Sequence, residues 1–304
     1  TTFSAGCYHW NAWETPVFGN PVRIEVQPGD SYTNLEGQTE TARKRAIVWA
    51  SWRDGLQYNW KTGVLYMGWV MAILLLHEMG HFLMTLRYKI PASLPFFIPV
   101  PFMVTGTMGA VIGMDGMRAN RRQIFDIGIA GPLAGLVVAI PVFWWGIQDL
   151  DLSRMPRPEE IQLYLPWLGQ WMLEHAHPEW TGRDWIGLSQ LNPYFMAGWV
   201  GMLITGLNMM PISQLDGGHT IYALFLDRAH TLARWFVSLS IFYILIHINQ
   251  AVMWTPMLVL VILMGIHHPP TANDHVKLCE REDRLHSKRC LEQPPINCLA
   301  FFFS

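Results

Sequence analysis

Residues 63–87 read GVLYMGWVMAILLLHEMGHFLMTLR. A helix needs about 20 predominantly apolar residues to cross a bilayer, and this stretch meets that requirement except at His77, Glu78 and His81 before it closes on Arg87 and Lys89. An ionisable side chain at the centre of a spanning helix costs on the order of 2.5–3.5 kcal/mol on insertion scales, so three within five positions demand compensation. Their spacing offers one. His77 and His81, four apart, project from one helix face, and two imidazole nitrogens a turn apart can share a tetrahedral zinc ion. Glu78, beside His77, can take a proton from a water whose pKa zinc lowers toward ~7. So short a pattern arises by chance in many soluble proteins, and it is burial in lipid that weighs against chance here.

The composition agrees with a membrane setting. Of 304 residues, 51% are hydrophobic, 15 are Trp and 14% are charged, against roughly 25% charged in soluble domains. With a formal net charge of -2, nothing suggests a nucleic-acid partner, which would normally demand a concentrated basic face, and none is expected. Cys7, Cys279, Cys290 and Cys298 form no CxxC pair, so neither a thiolate zinc site nor a disulfide framework is expected. The chain opens on Thr1-Thr2-Phe3 without a signal-peptide pattern, and residues 1–61 read as a truncated N-terminal juxtamembrane segment.

Working outward, further apolar stretches run over Ile127–Ile147, Tyr194–Pro211, Leu232–Ile248 and Ala251–Ile266, for about five spans. Between the first two lies Ile90–Met114, apolar but carrying Pro91, Pro95, Pro99, Pro101, Gly106, Gly109 and Gly113. Prolines at that density exclude a helix interior, and irregular backbone at membrane depth must be buried in protein or line a wet cavity. A small re-entrant β-hairpin is expected, with Thr105–Ile112 as its extended part. Arg118, Arg121 and Arg122 mark the following loop as cytoplasmic, whereas loop 149–193 is acidic and reads as external. Within it, Ile161–Leu173 is expected to be an interfacial helix bearing Trp167 and Trp171.

A catalytic zinc site commonly has three protein ligands and one open position, so a third ligand must come from another segment. Residues 208–218, NMMPISQLDGG, provide one: Pro211 breaks the span, and Gly217 and Gly218 free the backbone beyond Asp216. His77 and Asn208 each lie about 14 residues from the outer end of their helices, roughly 21 Å at 1.5 Å per residue. The two motifs therefore meet at one depth, toward the cytoplasmic side. His219 reads as an interfacial polar group, Asp126 as an N-terminal helix charge, and Gly131–Gly135 as a point of close helix packing.

HEMGH followed by NMMPISQLDGG resembles the site-2 protease family of intramembrane zinc metalloproteases, whose marks are HExxH and NxxPxxxLDG. GTMGAVI at 106–112, GPLAG at 131–135 and HPPT at 268–271 are similar to that family too. The resemblance implies one Zn2+ per chain held by His77, His81 and Asp216, with Glu78 as the catalytic glutamate. It also matches Asn208 to the motif asparagine, assigned here to substrate positioning or to oxyanion stabilisation. Finally, Pro91–Gly113 matches where the family places a re-entrant β-hairpin near the active site; such a strand edge can hold an unwound substrate by β-addition, the alternative being that the segment packs the core.

The expected protein is thus an all-α polytopic membrane protein with a small re-entrant β-hairpin element. Its intramembrane core covers 62–276, and an atypical tail follows at 277–304. It sits in the bilayer of a bacterial cell membrane with its site toward the cytoplasm, and hydrolyses peptide bonds of transmembrane protein substrates in regulated intramembrane proteolysis. One rival is a catalytically silent membrane binding protein or chaperone of the same fold, which would have no need of Glu78. Another is a metal transporter, which would need a file of ligands where one cluster is visible.

Overall fold

The computed structural model describes residues 22–99, 107–111, 113, 119–150, 152, 162–180, 185–187, 190–212 and 215–247, less positions 35, 45 and 51. The expected span Ala251–Ile266, the HPPT motif, the tail, Arg118 and all four cysteines lie outside them. The described residues fall into two compact units, one within 1–78, 95–111 and 135–205, the other within 79–94, 112–134 and from 206 onward.

The first unit begins with strands in the segment 1–61, where no strand was expected. β1 (Val22–Val26) pairs antiparallel with β4 (Ala46–Ala50), placing Ile24 opposite Val48. β2 (Ser31–Thr33) pairs with β3 (Thr39–Thr41). Ile24, Val26 and Ala42 form a small core with Tyr32, Val48 and Tyr58, the last from helix α1 (Trp52–Tyr58). The long apolar stretch is helix α2 (Trp60–Arg87). The second long helix, α3 (Arg121–Gln148), starts six residues ahead of the expected span. Asn120 explains this: its Oδ1 accepts from Gln123 N at 3.0 Å while its own N–H donates to Gln123 Oε1 at 2.9 Å, a reciprocal capping box that satisfies two donors at the helix start.

Tyr66, Val70 and Leu74 of α2 are buried against Val142 of α3 and Met196, Val200 and Ile204 of helix α5 (Pro193–Asn208). Asn192 caps α5 through Phe195 N at 2.8 Å, and Pro193 takes the first helical position, where its missing N–H costs nothing. The described residues of the acidic loop pack onto the helix ends. Helix α4 (Trp167–Ala176) buries Met172 and Leu173 against Phe143, Ile147 and Phe195. The expected helix over Ile161–Leu173 is corrected here. Residues 162–164 are strand β7 (Gln162–Tyr164), paired antiparallel with β8 (Trp185–Gly187), and the helix starts only at Trp167, because Pro166 disfavours helical backbone at Leu165. Trp167 and Trp171 are exposed on α4, at 78% and 46%.

Also in this unit, β5 (Phe96–Pro99) and β6 (Thr107–Val111) form an antiparallel pair with Phe96 opposite Val111 and an irregularity between Phe97 and Pro99. Extended structure was expected over this region, and the pair occupies it.

In the second unit, α2 closes with Lys89 in the left-handed region (φ 55) and Ile90 N donating to Thr85 O at 2.9 Å, the six-to-one closure of a Schellman motif. Ile90 then packs with Met84, Ile124, Ile127 and Ala130. Helix α6 (Asp216–Phe225) and helix α7 (Asp227–Ile246) follow, turned by Leu226 at φ 51.

Among the described residues, three helices, α2, α3 and α7, are long and apolar enough to cross a membrane. The expected span over Tyr194–Pro211 is a 16-residue helix ending at Asn208, below that length. Met209 and Met210 leave it in a turn, their N–H groups bonding Gly206 O and Leu207 O, ahead of Pro211, which cannot donate.

Candidate metal centre

His77 and His81 lie one turn apart on α2, and both are buried, as is Glu78 between them. Asp216 is the first residue of α6. The ligand atoms of His77, His81 and Asp216 all lie within 4.8 Å of one another. His81 Nε2 is 3.2 Å from Asp216 Oδ2. Two ligands about 2.0–2.1 Å from a tetrahedral zinc are roughly 3.3 Å apart, so this edge already has the length such an ion requires.

The His81 imidazole is fixed from behind by α3. Its Nδ1 is 2.7 Å from Ile127 O; a carbonyl only accepts, so Nδ1 carries the proton and donates it. Nε2 of the neutral ring then presents a lone pair toward a carboxylate oxygen, an arrangement that needs a cation or a proton between them. A hydrogen bond from the far nitrogen is the usual way a metal-binding histidine is oriented.

Room for the two rings comes from glycines. A Cβ at Gly131 would fall onto Nε2, Cδ2 and Cε1 of His81, and one at Gly135 would stand 3.1 Å from His77 Nδ1. GPLAG therefore does more than let helices approach, since two of its glycines make the space that the imidazoles fill. Gly80 likewise admits the backbone of Ala130, and a Cβ at Gly128 would stand 3.2 Å from Asp216 O. The sequence reading missed these roles, as it did that of the Ile127 carbonyl. The spacing of Gly131 and Gly135, four apart like the two histidines, was the available signal.

Asn208 is the last residue of α5 and half-buried. His219, half-buried on α6, is not among the three grouped donors; its Cβ stands 3.5 Å from a Cβ built at Gly128. Asp126, read as a helix charge, accepts a hydrogen bond from Tyr88 OH and so ties the end of α2 to α3.

Long apolar helices with two imidazoles and a carboxylate gathered about one helix turn define a membrane-type metalloprotein. Residues 66–248 match the model of peptidase family M50, more than half of the 304-residue chain, and the chain belongs to that family. A rice protein (Oryza sativa subsp. japonica) named "Probable zinc metalloprotease EGY1, chloroplastic" is 34% identical over 161 residues, covering 51% of this chain and 27% of that protein. Its Arabidopsis thaliana namesake is 32% identical over 161 residues, covering 51% and 28%. The matched region thus spans little more than a quarter of the length of these curated relatives. A solved structure, "Site-2 Protease from Methanocaldococcus jannaschii", aligns over 76% of this chain and 83% of its own with 16% identity and a TM-score of 0.39. The expectation of a bacterial cell membrane finds no support, since these plant relatives are named as chloroplastic.

Proposed function

We propose that this chain is a membrane-embedded zinc metalloprotease that cuts transmembrane or membrane-proximal segments of protein substrates. One Zn2+ is held by His77, His81 and Asp216, toward the membrane side bearing Arg121 and Arg122. The observation that carries the reading is the gathering of those three donors within 4.8 Å, with Glu78 buried beside them. The naming of the plant relatives as probable zinc metalloproteases supports it.

When bound, zinc supplies a Lewis acid that polarises the scissile carbonyl and acidifies the attacking water. The remaining steps belong to the chain's own residues. The Glu78 carboxylate removes a proton from the water as its oxygen bonds to the carbonyl carbon, then passes that proton to the leaving amine as the C–N bond breaks. The Asn208 side-chain amide donates to the oxygen on which negative charge develops. The β5–β6 pair, re-entering at membrane depth, offers a strand edge to an unwound substrate, whose peptide groups it holds extended for attack.

The test uses detergent-purified protein, measuring zinc content and cleavage of a model transmembrane peptide for wild type and Glu78→Ala. Zinc is expected to stay at one per chain while cleavage falls by about 10²–10⁴-fold, the usual contribution of a general base. Equal cleavage by the two proteins would overturn the mechanism.

A further inference from the structure

Arg121 was counted in the sequence only as a loop charge. It is the first residue of α3, and its guanidinium reaches across to the other end of α6. Nε donates to Ala223 O and Nη2 to Leu224 O, the latter at 3.0 Å. The last carbonyls of a helix have no partner within it. In α6 the Tyr222 carbonyl is taken by Leu226 N, and the next two are taken by Arg121. A guanidinium is suited to this because its planar fork presents two N–H groups in fixed geometry, where an ammonium presents a point charge.

The same two helices touch again at the opposite end of α6. A Cβ at Gly128 would lie 3.0 Å from Thr220 Oγ1 and 3.2 Å from Asp216 O, so backbone meets backbone there almost without clearance. Thr220 Oγ1 in turn donates to Asp216 O at 2.8 Å. Residue 121 meets 223–224 and residue 128 meets 216–220, so α6 lies antiparallel along the first two turns of α3, fixed at two points. Adjacent to Gly128, Ile127 supplies the carbonyl that orients His81. Both Asp216 and His81 are thereby referenced to neighbouring residues of α3.

We infer that Arg121 is a positioning residue for Asp216: by fastening the far end of α6 to α3 it sets the direction of that helix, and so the place where the Asp216 carboxylate meets His81. Without it, the Gly128 contact is a pivot about which α6 can turn. The inference rests on the zinc reading proposed above.

The test measures zinc affinity by chelator competition on the full chain in detergent, with the melting temperature of the zinc-free protein recorded alongside. Arg121→Met, which removes the donors and keeps the stem, is expected to weaken zinc binding by about 10–100-fold, the usual effect of losing an outer-shell partner. Arg122→Met is expected to bind as wild type does. In an Asp216→Asn background the loss caused by Arg121→Met is expected to vanish, because a residue acting through Asp216 has nothing left to position. A loss of undiminished size in that background, or wild-type affinity in Arg121→Met whatever its melting temperature, would overturn the inference. If Arg121→Met does not accumulate, Arg121→Lys decides: affinity equal to wild type overturns the inference, and a several-fold loss that vanishes with Asp216→Asn supports it. Failure of wild type to bind zinc, or of Asp216→Asn to weaken it, would instead remove the zinc reading itself.

Discussion

Replacing Gly131 by alanine adds one methyl group and no charge, yet it is expected to disable the metal centre. A Cβ there would lie 2.0–2.4 Å from three atoms of the His81 ring, and restoring van der Waals contact requires the ring to retreat by about 1 Å or more. Metal–ligand distances tolerate roughly ±0.2 Å, so the displacement removes His81 from the ligand set. Overpacking a close-fitted interior costs about 1–3 kcal/mol, which outweighs the roughly 0.5–1 kcal/mol by which alanine surpasses glycine within a helix. Two companions calibrate the effect. Gly135→Ala places its methyl 3.1 Å from His77 Nδ1, a crowding that a few tenths of an ångström relieve. Gly68→Ala meets nothing within 4 Å. Zinc affinity measured by chelator competition is expected to fall by at least about 100-fold for Gly131→Ala, by about tenfold or less for Gly135→Ala, and to stay at the wild-type value for Gly68→Ala. Wild-type zinc affinity in Gly131→Ala, or a greater loss in Gly135→Ala than in Gly131→Ala, would refute the view that these glycines make room for the imidazoles.

Chelator treatment is expected to lower the melting temperature of wild type but not of Asp216→Asn. A ligand at 100 times its Kd contributes about 2.7 kcal/mol, readily seen by thermal scanning. Asn208→Ala should slow cleavage by up to about 10²–10³-fold with zinc content unchanged, read from single-turnover kinetics and metal analysis. Tyr88→Phe tests the tie between α2 and α3. Burial, with the hydrogen bond to Asp126 next in weight, raises the Tyr88 phenol above the ordinary tyrosine value. The folded value exceeds the unfolded one, so the tie contributes fully below about pH 10 and is lost as pH climbs through the folded value. The stability difference between wild type and Tyr88→Phe should therefore be flat at neutral pH and shrink only in strong alkali.

The parts of the fold legible in the sequence are those that a single segment specifies alone. A long apolar run broken only at His77, Glu78 and His81 marks α2 as a helix, and the four-residue spacing then puts His77 and His81 on one face. Proline density likewise marked the region of β5 and β6. Segment ends were harder, because they depend on particular side chains. The Asn120–Gln123 box starts α3 ahead of its apolar run, Pro166 delays an expected helix to Trp167, and the turn at Met209–Met210 ends α5 three residues early. The strands at 22–50 were not anticipated, although VRIEV and AIVWA are strand-like in residue type. Asp216 could be proposed from a broken span beside a glycine pair. What surrounds it could not, since the value of Gly131, of the Ile127 carbonyl and of Arg121 lies in contacts with residues 46 to 103 positions away.

The restraints on His81 described above are the Ile127 carbonyl behind the ring, Gly131 beside it and the Asp216 carboxylate facing it. Two of the three belong to α3, on which none of the three grouped donors lies. The placement of the donors is therefore inherited in part from a helix with no ligand among them, and a change confined to α3 reaches the site while every donor is still in the chain.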